Sequence, residues 1–141
     1  MSATEPNVQL LQEGLDAFSR GDLAESLEMM HPDVEWHVVF RLPDLPLPKD
    51  VYRGREEVEA LWKQFRSAWD EMTVQLEEVL HVDDERVVAR ARFRGRGAGS
   101  GIEIDRIVFY AFRIRDGMLA YCRAFDDEPS ARADLALDDG A

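Results

Sequence analysis

Apolar residues recur along this chain with two periods, a helical one in the first half and an alternating one in the second. Leu11, Leu15 and Phe18 lie four and three apart, which predicts a helix over Val8–Phe18. Gly21-Asp22 stops it. Leu23, Leu27 and Met30 then mark the inner side of a second short helix, broken by His31-Pro32-Asp33. Val34 to Val38 alternates as a strand. Pro43, Pro46 and Pro48 make the stretch from Leu42 to Asp50 a loop, placed to act as a lid over a cavity. Val58, Leu61, Trp62, Phe65 and Trp69 predict a third helix from about Glu56 to Asp70, with a wide aromatic stripe. Such a stripe packs a core, walls a pocket, or does both along its length.

From Leu76 onward the period is two. Three long strands follow in RVVARARFRGRG, GIEIDRIVFYAFRIR and MLAYCRAFDD, joined by tight turns. A short helix is expected over Glu128–Leu137. The whole reads as one domain over residues 1–137, with a frayed tail at 138–141.

The turns allow the strands to be registered. Asp116-Gly117 is a two-residue hairpin signal, which pairs Ile114 with Leu119, Phe112 with Tyr121, Tyr110 with Arg123, Val108 with Phe125 and Arg106 with Asp127. The turn at Asp83–Arg86 sets Val82 against Val87, Leu80 against Ala89 and Leu76 against Phe93, with Glu77 meeting Arg92 on the outside. Across the Gly95–Gly101 loop, Arg92 meets Asp105 and Arg94 meets Glu103.

Under this register Glu78, Arg106, Tyr110, Tyr121, Arg123 and Asp127 point inward as a polar constellation. Trp36, Tyr52, Trp62, Phe65, Trp69 and Phe112 are the candidate pocket walls. The constellation is either a satisfied internal network or the polar end of a pocket, where a carboxylate beside tryptophans would have a raised pKa and serve as acid or base. The other face carries Ile107, Phe109, Ala111, Ala120, Cys122 and Ala124. Its small apolar side chains suggest the contact surface of a homodimer.

Charge and composition narrow the partners. The 141 residues include 45% hydrophobic and 33% charged, with a net charge of −12. That fits a soluble domain and argues against nucleic acid. Between Arg86 and Arg123, however, nine arginines face only Glu103, Asp105 and Asp116. This strip reads as salt bridges within the sheet or to a partner subunit, as an anion site, or as an RNA contact. No apolar run approaches the roughly 18 residues of a membrane span. The start, MSATEPNVQLLQEG, has no secretory pattern, and the single Cys122 excludes an internal disulfide, so a cytoplasmic protein is expected.

Several motifs fail. His31, His37 and His81 lack metal-ligand spacing, so neither a metal nor a cofactor is expected. The run GRGAGSG leads into a strand, whereas a phosphate-cradling loop leads into a helix. Cys122 sits in mid-strand without a basic neighbour in sequence and reads as a packed thiol.

The segments HPDVEW (His31–Trp36), YRGREEV (Tyr52–Val58), GRGAGSGIEID (Gly95–Asp105), RDGM (Arg115–Met118) and FDDEPSA (Phe125–Ala131) carry a resemblance that spans nearly the whole chain. The chain resembles the nuclear transport factor 2-like superfamily, and within it the SnoaL-like group of small bacterial proteins. The resemblance implies an α+β fold, a cone-shaped curved sheet of mixed strands wrapped around about three N-terminal helices. It also implies a small-molecule pocket of the kind found in polyketide cyclases and ketosteroid isomerases. The related epoxide hydrolases place an aspartate where this chain has Ala124, so that activity is disfavoured. Two main functions follow. In the first, Asp127 or Glu78 is the base and Tyr110 or Tyr121 the oxyanion donor of an isomerase- or cyclase-type proton transfer on a polycyclic or steroid-like substrate. In the second, the protein is a non-catalytic module that binds a small hydrophobic molecule, whose carboxylate meets Arg106 or Arg123. A protein-interaction module with a vestigial cavity is the third possibility.

Overall fold

The computed structural model describes residues 4–37 and 50–137. The expected proline-rich lid and the frayed tail lie outside these residues. Two helices open the chain, α1 (Thr4–Arg20) and α2 (Leu23–Glu28), followed by β1 (Met30–His37), β2 (Val51–Arg53) and α3 (Gly54–Ser67). Four long strands come next, β3 (Trp69–Val82), β4 (Arg86–Gly97), β5 (Glu103–Arg115) and β6 (Met118–Phe125). The last element is α4 (Glu128–Asp134).

The six strands form one curved sheet in the order β2-β1-β6-β5-β4-β3. Among the described residues only β1 and β6 run parallel. The expected α+β architecture, a mixed sheet wrapped around N-terminal helices, is the one found. Two boundaries differ from the sequence reading. His31-Pro32-Asp33 lies inside β1 rather than in a break before it. Trp69 opens β3 rather than closing α3.

Both faces of the sheet are used. On the concave face α1 and α3 bury a core that includes Leu11, Val58, Leu61 and Trp62 against Val74, Phe93, Val108, Phe112 and Cys122. On the convex face α4 seals a smaller cluster of Val88, Ala111, Ala131 and Leu135. Ala111, expected at a subunit contact, is therefore covered by the chain's own last helix. The arginine strip on β4 also has internal partners. Arg90 pairs with Glu78 at 3.0 Å, Arg92 with Asp105 at 2.5 Å, and Arg96 with Glu71 at 3.5 Å. The first of the three readings of that strip thus describes it.

The Asp116-Gly117 turn forms as expected. Asp116 and Gly117 both have positive φ, 55° and 72°, the geometry that a two-residue turn needs to match strand twist. Ile114 pairs with Leu119 as predicted. Beyond that point the register departs. Ala120 is an extra residue on β6, so Arg113 pairs with Tyr121, Phe112 with Cys122 and Tyr110 with Ala124. A one-residue bulge inverts every later side chain of its strand. On β3, Glu77 and Leu80 are likewise extra residues, so Val79 rather than Leu80 meets Ala89 and Leu76 meets Ala91. Between β4 and β5 the register differs by two, with Arg94 opposite Asp105, which leaves the facings intact.

Candidate functional site

The bulge at Ala120 decides which side chains line the interior. Cys122 is fully buried in the concave core and Ala124 packs against it, while Tyr121 and Arg123 turn to the convex side. The predicted polar constellation is therefore not assembled. Asp127 is exposed and caps α4, its carboxylate accepting the Ser130 amide at 2.8 Å, which holds it below the usual carboxylate range. Glu78 sits outside in the pair with Arg90, because the Leu80 bulge, between it and the Val82–Val87 turn, flips it. Tyr121 donates to Asp134 Oδ2 at 2.7 Å. Burial, with that bond, pushes its phenol up to about 12. Arg123 stands 3.7 Å from Asp134 and over the Phe125 ring. Arg106 lies at the exposed end of β5 and pairs with Asp126, not Asp127.

The aromatic candidates do come together. On α3, positions 58, 61, 62 and 65 share one helix side, and that side faces the sheet. Trp62, 3% exposed, meets Phe18 and Trp36 edge-on at centroid distances of 5.1 and 5.3 Å. Phe65 lies 5.9 Å from Trp69 and 6.0 Å from Phe93, and Trp69 meets Phe93 at 5.1 Å. Tyr52 on β2 belongs to the same buried core. Tyr110 and Phe112 stack at 5.1 Å on the sheet side.

Opposite these rings the concave strands carry small side chains. Ala89 and Ala91 on β4 and Cys122 on β6 have no exposed surface, and Gly95 has no side chain at all. A methyl at Gly95 would stand 2.7 Å from the Trp69 ring, so that glycine is the floor on which the tryptophan rests. Sequence reasoning had assigned Gly95 to a hairpin loop. Its signal was an isolated glycine inside an alternating strand, which marks a close approach. A small apolar cavity of about 30 Å³ lies beside Trp62, lined by Leu11, Gly14, Phe18, Met30 and Phe112.

The polar groups of this interior carry no charge, and its indoles can only donate. Burial pushes the Tyr110 phenol far up and the Cys122 thiol up, so both stay neutral. The indole N–H groups of Trp62 and Trp69 are buried and have no hydrogen-bond partner among the described residues. Each such orphan costs about 1–3 kcal/mol. Among the described residues the buried polar side chains are Asn7, Ser26 and His31, and none is a carboxylate. His31 serves the scaffold. Its Nδ1 accepts the Asp33 amide at 3.0 Å, and its Nε2 lies 3.3 Å from Asp116, which ties β1 to the β5–β6 turn.

A curved mixed sheet with helices packed on its concave face and a short helix on its convex one places the chain among small α+β domains. Within that class the SnoaL-like domain model matches residues 11–122, and the chain belongs to that family, in the nuclear transport factor 2-like superfamily. An uncharacterized protein of Mycobacterium tuberculosis is 31% identical over 90% of this chain and 93% of its own length. Among solved structures, TerC co-crystallized with polyporic acid superposes with a TM-score of 0.73 at 19% identity, over 92% of this chain and 97% of that one. RV0760c from Mycobacterium tuberculosis, in complex with estradiol-17β-hemisuccinate, gives 0.73 at 16% identity over 88% and 95%. A computationally designed 17-OHP binder gives 0.73 at 17% identity, again over 88% and 95%.

Proposed function

We propose that this protein binds a small, largely apolar ring compound between α3 and the concave face of the sheet. The observation that carries this is the pairing of two unlike walls. Rings from Trp36, Trp62, Phe65 and Trp69 stand on one side, and the small side chains of Ala89, Ala91 and Ala124 face them on the other. Such a chamber favours flat polycyclic ligands, since stacking and area burial both scale with ring size. TerC and RV0760c, which share the fold, were crystallized with a ligand of this kind. Titration with estrone, a neutral steroid with a ring ketone, followed by intrinsic tryptophan fluorescence, tests the reading. Saturable quenching that weakens in Trp36→Leu supports it, and an unchanged spectrum at saturating ligand contradicts it.

Isomerase- or cyclase-type proton transfer is the second reading. Tyr110 favours it, as a buried neutral phenol able to donate to a developing oxyanion. Neither Asp127 nor Glu78 faces the interior to act as the base.

The protein is also proposed to act as a cytoplasmic homodimer. The part of the convex face beyond α4, where Ile107 is 39% exposed among the paired charges of β3, β4 and β5, supports the self-association. This replaces the face first expected, of which Cys122 and Ala124 point inward. Sedimentation at micromolar concentration should give a mass near twice 16.1 kDa, and a monomer mass rejects the dimer. No helix among the described residues is long and apolar enough to cross a membrane.

A further inference from the structure

We propose that the indole N–H groups of Trp62 and Trp69 are the hydrogen-bond donors that read the ligand, and that they select a neutral ring compound bearing a carbonyl oxygen. This rests on the binding reading above and adds the chemistry of recognition to it. A tryptophan indole is a donor only, and when buried it ordinarily finds an acceptor. Here two of the three tryptophans leave that donor unanswered, Trp62 packed against Phe18 and Trp36, and Trp69 against Phe65 and Phe93. Trp62 is almost fully buried, and the groups packed around it are rings and aliphatic chains.

The complement of a donor-only wall is an acceptor. A carbonyl oxygen on a ring meets it without bringing charge into the interior. A carboxylate would need a cation, and the arginines expected to supply one are engaged elsewhere. Arg106 pairs with Asp126 at the exposed end of β5, and Arg123 lies on the convex side beside Asp134. Tyr110, buried in the same core, is a further donor and offers no charge either. An aromatic ketone, a quinone or a ring lactone has the matching chemistry.

Fluorenone and fluorene make the test, since the two differ chiefly by the carbonyl. Fluorenone is expected to bind about tenfold more tightly, the increment of one well-made hydrogen bond in a dry site. Its binding should move the indole proton resonances of Trp62 and Trp69 downfield, whereas fluorene should not. Single Trp62→Phe and Trp69→Phe substitutions assign those resonances and keep a ring in place. The ratio of fluorenone to fluorene affinity should fall in at least one of them, whatever the smaller ring does to the affinity for both. Equal affinities for the two compounds, or a preference that persists in both variants with unmoved indole protons in the native chain, overturns the donor assignment and leaves the chamber standing. If neither compound binds, the chamber fails and the assignment with it.

Discussion

Trp69 rests directly on Gly95, with no room for even a methyl group between the indole and the β4 backbone. The contact joins the first residue of β3 to the inner face of β4. It fixes where the aromatic wall meets the sheet.

Gly95→Ala should therefore displace the Trp69 ring and cost about 1–3 kcal/mol, the usual range for overpacking a tight site. Urea denaturation gives the loss, and the near-UV dichroism of the tryptophans should change with it. An unchanged midpoint and spectrum would mean that the ring has another place to lie.

Asp127 and α4 make a second case. With Asp127 as the cap, Asp127→Ala should cost about 0.5–2 kcal/mol and Asp127→Ser much less, because serine also caps. Neither should alter ligand affinity by more than a small factor. A large loss of binding in the serine variant at full stability would return Asp127 to the site.

Acid stability should depend on Asp83. Burial raises its pKa, but bonds from His81 and from the amides of Glu85 and Arg86, with the Arg86 charge, outweigh this and hold it at about 2, against 3.8. A depressed carboxylate contributes stability that is full above its unfolded value and is lost as the pH falls through the folded one. The urea midpoint should fall between pH 4 and pH 2, and by less in Asp83→Asn, which is already weakened at neutral pH. The full shift corresponds to about 2 kcal/mol as an upper limit, since the group is partly solvated.

Tyr121 predicts the opposite, alkaline, dependence. Its folded pKa of about 12 exceeds the ordinary tyrosine value of 10.0. The stability it contributes is thus complete below pH 10 and lost as the pH rises through 12. Absorbance at alkaline pH should show a tyrosinate step near pH 12 that disappears in Tyr121→Phe. A step near pH 10 removed by the same substitution would break the proposed Asp134 bond.

The physics of each element explains what the sequence could disclose. The α3 stripe was legible because helix periodicity is continuous, and Val58, Leu61, Trp62 and Phe65 could face the core in only one way. The Asp116-Gly117 turn was legible because two positive φ angles require a special dipeptide. The bulge at Ala120 was not, since alanine has no preference that distinguishes an unpaired strand position from a paired one. That single residue exchanged Tyr121 and Arg123 for Cys122 and Ala124 and removed the expected polar site. Glu78 was lost in the same way through the bulge at Leu80. Ala111 was expected at a subunit contact, and its burial under Leu135 instead depends on a long-range docking that local pattern does not encode.

The central claim is that a ring compound lies between the α3 aromatic stripe and the small residues of the concave sheet. A crystal structure of the protein soaked with estrone tests it most directly. The account predicts ligand density in contact with Trp62 and Trp36 on one side and Ala91 or Ala124 on the other. Density confined to the convex face near Tyr121 and Arg123, with the aromatic stripe closed onto the sheet, would contradict it.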